Sequence, residues 1–466
     1  MTLHVRTGET ASGAEHTATR SAISRDAAWL FAGYALTSGS GFVFWVAAAI
    51  LIPQSALGVQ ASLLAIITAA AAFASIGPGS ALIVLLPAGG PAAATVLSRA
   101  LLVTAAAAVV AGTAAGALAS AFLLTDEAPA TVIALVALAT VAWALFNVQT
   151  QALAGAGNAR STAWVNGAAS VGKLVLLLGV AALAPQLPLL LVIATLVPAT
   201  GAMILSATVL APRAIARLRG AAAGARTWGP ELARSFSRFT LQNTVATGLV
   251  LALGLSLSFL VTVLSSAEQG AVFALTYQVA VALDLVGVGV ATSLARNASI
   301  DYDVSERVTR GLSGRVSLIV LGLGAVATGA TPLLLSFLGE GYDAAQGAVI
   351  VAALAAASVL RPGYDLWSAL MRARQRVAPV ILGNVVWCAI VLAGCLTLVP
   401  PLGALGAALA ILAGAVALAV FGLLASARTA TRPPDAPVTP DDLPAAVQDA
   451  RAAGWPHARP KERTAP

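Results

Sequence analysis

Between Ala27 and Pro212 only five residues carry charge: Arg99, Asp126, Glu127, Arg160 and Lys173. A soluble domain carries roughly 25% charged residues, because its surface must satisfy water on every side. A stretch this long and this apolar has no packing solution in water, so it belongs in a lipid bilayer. The complete chain agrees, with 59% hydrophobic residues, 10% charged and a mean hydropathy of +0.90. The apolar runs are continuous rather than alternating over ten-residue segments, which argues against a β-barrel. The expectation is an all-α polytopic membrane protein.

At about 20 apolar residues per crossing, the 466 residues have room for about a dozen transmembrane helices. Hydropathy and turn signals place them at 27–51, 58–80, 98–124, 129–153, 161–183 and 187–211, then at 239–264, 270–294, 314–338, 346–371, 378–399 and 403–426. The first apolar run is too long for the core of a cleaved signal peptide and reads as a retained helix. Around these spans lie a polar N-terminal segment (1–26), a basic linker (212–238) and a Pro-, Ala-, Asp- and Arg-rich tail (427–466) without apolar periodicity, which reads as disordered. The linker divides the chain into two six-helix bundles, 27–211 and 239–426.

Lys and Arg fall on alternate connections. One set holds Arg99, Arg160, Arg213, Arg217, Arg219, Arg226, Arg234, Arg238, Arg296, Arg307, Arg310, Arg315, Arg372, Arg374 and Arg376; the other holds only acids, Asp126, Glu127, Glu268, Glu340 and Asp343. Cytoplasmic loops retain positive charge, so both termini are expected in the cytoplasm of a multi-pass plasma-membrane protein. The linker arginines are expected to lie on the anionic cytoplasmic leaflet. Confinement of the basic residues to loops and tails also argues against nucleic acid as the partner, despite a net charge of +7.

Enzyme chemistry finds no footing. The three histidines, His4, His16 and His457, lie in polar tails, and Cys388 and Cys395 are seven apart on one span, which leaves no catalytic triad, metal set or structural disulfide to assemble. There is no P-loop, so the chain itself does not hydrolyse ATP, and no cofactor is expected. What remains are polar groups in the membrane. Lys173, Asp284, Arg361 and Asp365 lie well inside spans, where a charge costs at least about 2.5–3.5 kcal/mol and normally faces a cavity or a partner. Lys173 either lines a cavity or pairs with Asp284, and Asp284 alternatively takes a coupling proton. Arg361 and Asp365, four apart, share a helix face, with Pro362 and Gly363 between them able to loosen the helix; a local salt bridge and a gating or substrate role both fit. Asn147, Gln149, Gln151, Asn166, Gln242, Asn243, Gln278 and Asn384 are the uncharged polar set, suited to interhelical hydrogen bonds or to sugar hydroxyls. Trp143, Trp164, Tyr277 and Trp367 are candidate stacking surfaces, and Gly112 and Gly116 a small-residue packing step.

Traces of an internal repeat favour a duplicated six-helix unit. Gly58 and Gly77 match Gly270 and Gly289 in spacing, and Gln151-Ala-Leu-Ala-Gly-Ala-Gly-Asn158 aligns with Ser368-Ala-Leu-Met-Arg-Ala-Arg-Gln375. Together with Leu51-Ile-Pro-Gln-Ser-Ala-Leu-Gly58, the Gly77-Pro-Gly79 break after the second span and Pro401-Leu-Gly-Ala-Leu-Gly-Ala-Ala408 at the twelfth, these segments give a chain that resembles the multidrug/oligosaccharidyl-lipid/polysaccharide exporter superfamily, in particular its polysaccharide-transporter and O-antigen flippase branch. The resemblance spans about 27–426. It implies two six-helix bundles around a central cavity, working by alternating access. It further implies a flippase for a polyprenyl-pyrophosphate-linked saccharide in surface polysaccharide assembly, with glycosyltransferases and a polysaccharide polymerase as partners and membrane lipid around it. On that reading Lys173 and Arg361 neutralise the pyrophosphate, Asn147, Gln149, Asn166, Gln242 and Asn243 line the substrate path, and Asp284, Asp365 and Pro362 serve ion coupling or gating. A cation-coupled multidrug exporter of the same superfamily is the main alternative, although the span 27–51 lacks the carboxylate expected in its first helix; a non-transporting scaffold of an assembly complex is another.

Overall fold

The computed structural model describes residues 36–86, 90–183, 189–221, 228–298, 302–338, 341–373 and 377–430. The N-terminal segment, the start of the first span and the tail beyond 430 lie outside the described residues. Within them every regular element is helical: α1 (Leu36–Leu51), α2 (Gln54–Leu85), α3 (Ala93–Phe122), α4 (Pro129–Gly155) and α5 (Ala159–Leu183). Next come α6 (Leu190–Leu205, continued by Ser206–Leu210 and Ala211–Ala221) and α7 (Pro230–Asn243, Thr244–Gly248, Leu249–Leu264). The chain continues with α8 (Ala267–Ala298), α9 (Tyr302–Ser336), α10 (Ala344–Ala373), α11 (Ala378–Leu402) and α12 (Ala404–Ala430). Eleven of these are long and apolar enough to cross a bilayer, and α1 is a shorter apolar helix among the described residues. In hydrocarbon every backbone N–H and C=O must be paired within the protein, and a helix does this within itself. The chain is a multi-pass membrane protein.

α2 is the central helix. Two-thirds (67%) of its apolar window is buried, against 22% for the windows of α5 and α9, and it packs on α3, α4, α7 and α8. Small residues make this possible. Gly58 lies against the Ala267 backbone at the start of α8, and Gly77 against Thr240 and Thr244 of α7, positions where a Cβ would collide. The Gly112–Gly116 step packs as expected: a Cβ at Gly112 would sit 2.8 Å from Thr140 Cβ, and one at Gly116 2.7 Å from Ile133 Cα, so α3 and α4 approach at backbone distance.

One expectation is corrected here. Gly77-Pro-Gly79 does not end the second span, because α2 runs through Pro78 to Leu85. The glycines admit Thr240 and Thr244 on one side and the Gln151 side chain on the other, and neighbouring helices tolerate a proline in a membrane helix. The described residues of the basic segment after the sixth span are likewise largely helical. α6 continues to Ala221 and α7 begins at Pro230, each passing through a five-residue π turn, Ser206–Leu210 and Thr244–Gly248. Ile215 and Phe236, on these extensions, pack with Leu82, Leu85, Val96 and Val148.

Candidate functional site

The charged connections separate onto the two ends of the helix bundle. Exposed Arg99, Arg160, Arg213, Arg234, Arg238, Arg315 and Arg372, with Glu231 among them, mark one end; Asp126, Glu127, Glu268 and Asp343 mark the other. At the acidic end the two halves of the chain are closed on each other. Gln54 Nε2 donates to the Glu268 carbonyl (3.5 Å), Ser62 Oγ and Thr262 Oγ1 share a hydrogen bond of 2.5 Å, and Ser62 Oγ also donates to the Ser258 carbonyl (3.1 Å). Residues 271–276 of α8 are all buried there, and α8 first exposes large apolar side chains at Val281 and Leu285, nearer the arginine-rich end.

Three of the four intramembrane charges meet in that second region. Arg361 Nη1 lies 2.5 Å from Asp284 Oδ2, and its Nε lies 3.9 Å from Asp365 Oδ2. The three side chains remain 25%, 24% and 21% accessible, so the cluster is half-buried, with Arg361 Nε covered and without a hydrogen-bond partner. Four-residue spacing on α10 presents Arg361 and Asp365 on one face, and α8 brings Asp284 from the opposite side. Asp284 Oδ1 is buried without a hydrogen-bond partner, and Asp365 Oδ2 looks toward Gly287. Two carboxylates share one guanidinium, which leaves the cluster one negative charge in excess. α10 stays helical through Pro362 and Gly363.

Lys173 stands apart. The expected alternative of a Lys173–Asp284 pair is not formed, since Asp284 is held by Arg361 from its own half of the chain. Lys173 Nζ instead lies 4.9 Å from the Phe44 ring centroid of α1, a cation–π arrangement, beside Gly41. No carboxylate pairs with it among the described residues. One turn before it on α5, Ser170 ties the two helices together: Ser40 Oγ donates to Ser170 Oγ (2.7 Å), and Ser170 Oγ to the Thr37 carbonyl (3.2 Å). Asn166 lies two helical turns before Lys173 and so shares its face. Along α5 Lys173 is about 20 Å from Arg160, whereas along α10 Arg361 is about 16 Å from Arg372, at 1.5 Å per residue. By the same measure Asp284 is about 18 Å from Arg296 along α8, so the lone cation and the acidic cluster lie at comparable distances from the arginine-rich end.

The remaining candidates scatter. Asn147 and Gln242 are half-buried, Gln149 is buried with Oε1 unpaired, and the Asn243 amide donates to the Phe239 carbonyl of its own helix (2.9 Å). Asn384 is a packing residue: it accepts from Tyr364 Oη (2.8 Å) and donates to the Ala246 carbonyl in the π turn of α7. Trp164 is exposed on the bundle exterior, Trp367 packs edge-on against Phe421, Trp143 contacts Phe146, and Tyr277 stacks on Phe273. These rings are engaged by the protein or turned outward. Phe44, Ser40 and Ser170 were not anticipated. Their signal in the sequence is the run of small and hydroxyl residues Thr37-Ser-Gly-Ser-Gly41 on α1, which admits α5 closely.

No protein-family model and no curated protein sequence matches the chain. Solved structures do match in shape. A MATE transporter in a straight conformation superposes with a TM-score of 0.63 at 16% identity, covering 88% of this chain and 95% of its own. The inward-facing conformation of a multidrug resistance MATE family transporter of the MOP superfamily gives 0.61 at 15% identity, covering 87% of this chain and all of its own. A MOP superfamily transporter from Pyrococcus furiosus, described by the reverse polarity of its binding pocket, gives 0.60 at 17% identity over 88% and 95%. The chain has the fold of these transporters.

Proposed function

We propose that the chain is an alternating-access transporter of the MOP superfamily that flips a polyprenyl-pyrophosphate-linked saccharide across the plasma membrane. The observation that carries this reading is Lys173. A cation held within a span without a carboxylate is costly, and an anionic cargo offsets that cost each time it binds. Entering from the arginine-rich end, a pyrophosphate meets Lys173 on the first half of the chain and the Asp284–Arg361–Asp365 cluster on the second at comparable depth. Arg361 gives Nη1 to Asp284 and leaves Nε without a hydrogen-bond partner, and release of Asp284 by a coupling proton frees the whole donor fork for a phosphate. The two acids thus couple ions to cargo, with Pro362 adjoining the guanidinium as the point where α10 yields. Asn166 on the face of Lys173, with Asn147, Gln149 and Gln242, reads the sugar; Asn243 contributes once it leaves its own helix. Glycosyltransferases and a polymerase supply and consume the cargo.

In proteoliposomes, Lys173→Ala is expected to lower translocation of a lipid-linked oligosaccharide about tenfold, equal to about 1.4 kcal/mol in the barrier, with thermal stability unchanged and Lys173→Arg close to wild type. Wild-type rates in Lys173→Ala overturn the assignment. The excess negative charge of the cluster on α8 and α10 also suits an organic cation, as a multidrug exporter requires. Drug hypersensitivity of a deletion strain whose surface glycans are normal decides for that second reading.

A further inference from the structure

A hollow of about 600 Å³ lies where the two halves of the chain meet, on a side of the α2–α7 contact that none of the charged groups lines. Its walls are four eight-residue stretches, 66–73 of α2, 111–118 of α3, 249–256 of α7 and 385–392 of α11, each about 10 Å of helix rise. Every stretch lies within a membrane span. Alanines create the space: Ala69, Ala111, Ala115, Ala252 and Ala389 stand where larger side chains would fill it. Ile66, Ala69 and Ala115 form a buried floor, while Phe73, Leu249 and Leu392 at the rim are more than a third exposed, so the hollow opens outward. Its polar side chains are two, too few to hold a headgroup or an ordered water. Ser256 Oγ donates to the Leu253 carbonyl of its own helix (3.0 Å), and Cys388 carries only a thiol. A retained water needs two to four polar partners, so this space is dry.

We infer that the hollow holds an acyl chain of a bilayer phospholipid, wedged between the two halves of the transporter. The medium at this depth is hydrocarbon, and a void in contact with it forfeits dispersion contacts on one whole side. The volume lies within the range that takes a drug-sized molecule, and the wall recognises nothing but shape. Because α2 and α3 come from the first half and α7 and α11 from the second, the chain touches both, and any rocking of one half against the other must reshape its site.

The test uses the full-length protein and its own cysteines. Cys388 lines the hollow, whereas Cys395 is fully buried and reports global opening. In detergent, N-ethylmaleimide is expected to modify Cys388 at least tenfold more slowly when phosphatidylglycerol or phosphatidylethanolamine is added back to delipidated protein, with Cys395 unreactive throughout. Native mass spectrometry is expected to find one phospholipid retained per chain, lost in Ala252→Trp, whose indole projects into the hollow from one wall and obstructs it. Cys388 protection needs no variant, so a misfolded Ala252→Trp does not rescue the idea. Reactivity of Cys388 indifferent to phospholipid overturns it. So does protection by a polyprenyl phosphate or an apolar drug in place of phospholipid, which reassigns the hollow to cargo.

Discussion

Arg361 holds two carboxylates that would otherwise repel each other in a low-dielectric setting. Removing one partner of such a cluster is expected to cost about 3 kcal/mol, so Arg361→Ala lowers the apparent melting temperature in detergent well below that of wild type. Asp284→Asn is expected to destabilise more than Asp365→Asn, because the Asp284 carboxylate lies 2.5 Å from the guanidinium and that of Asp365 3.9 Å; equal melting curves for the two contradict the geometry. The sequence exposes the ingredients of this cluster but not its pairing. Arg361 and Asp365 are legible as a helical pair from their spacing alone, whereas Asp284 lies 77 residues away and reaches Arg361 only through the packing of α8 on α10. A second local test is Gly403, whose φ of +58° joins α11 to α12. A Cβ there would collide with Gln269 Oε1, the acceptor that caps Ala404 N at 2.9 Å. Gly403→Ala is expected to cost about 2 kcal/mol through backbone strain, again read as a lower melting midpoint.

Helices are more legible in this sequence than helix ends. Hydropathy marks the hydrocarbon-immersed part of a helix, so α2 was legible as 58–80 but extends to Gln54 and Leu85, and α7 as 239–264 but starts at Pro230. The extra turns are amphipathic: Phe236 and Ile215 are buried on Leu82 and Leu85, while Arg213, Arg234 and Arg238 stay exposed, a mixture that an apolar window passes over. Gly77-Pro-Gly79 misled for a related reason. Glycine and proline interrupt helices in water, yet here Thr240, Thr244 and Gln151 occupy the space the glycines leave. The α2–α7 seam also offers a test of motion. Ser62 and Thr262, whose hydroxyl oxygens lie 2.5 Å apart at the acidic end, are replaced by cysteines in a protein whose native cysteines are alanine. Oxidation is expected to lock that end and reduce transport more than tenfold, with recovery on reduction. Full activity of the oxidised pair shows that this end need not open.

Across the whole molecule the charges divide twice, once along the membrane normal and once between the halves of the chain. The second division is legible in the sequence as positions, Lys173 in the first half and Asp284, Arg361 and Asp365 in the second; what the fold adds is that Asp284 pairs with Arg361 rather than with Lys173, so the two halves do not cancel each other's charge. The first was legible from the loops alone, because positive residues near a span are retained on the cytoplasmic side and each gains about 1 kcal/mol near the anionic leaflet. Seven exposed arginines stand at one end, and the described residues of the other carry no Lys or Arg. That asymmetry predicts which end is which. In intact cells, a membrane-impermeant maleimide is expected to label Glu127→Cys and to leave Arg213→Cys unlabelled until the membrane is permeabilised, both positions being exposed. The reverse pattern inverts the chain in the membrane. The arginine-rich end would then face the outside, the closed acidic end would face the cytoplasm, and a cargo loaded from the cytoplasm would find its entrance shut at the Ser62–Thr262 contact.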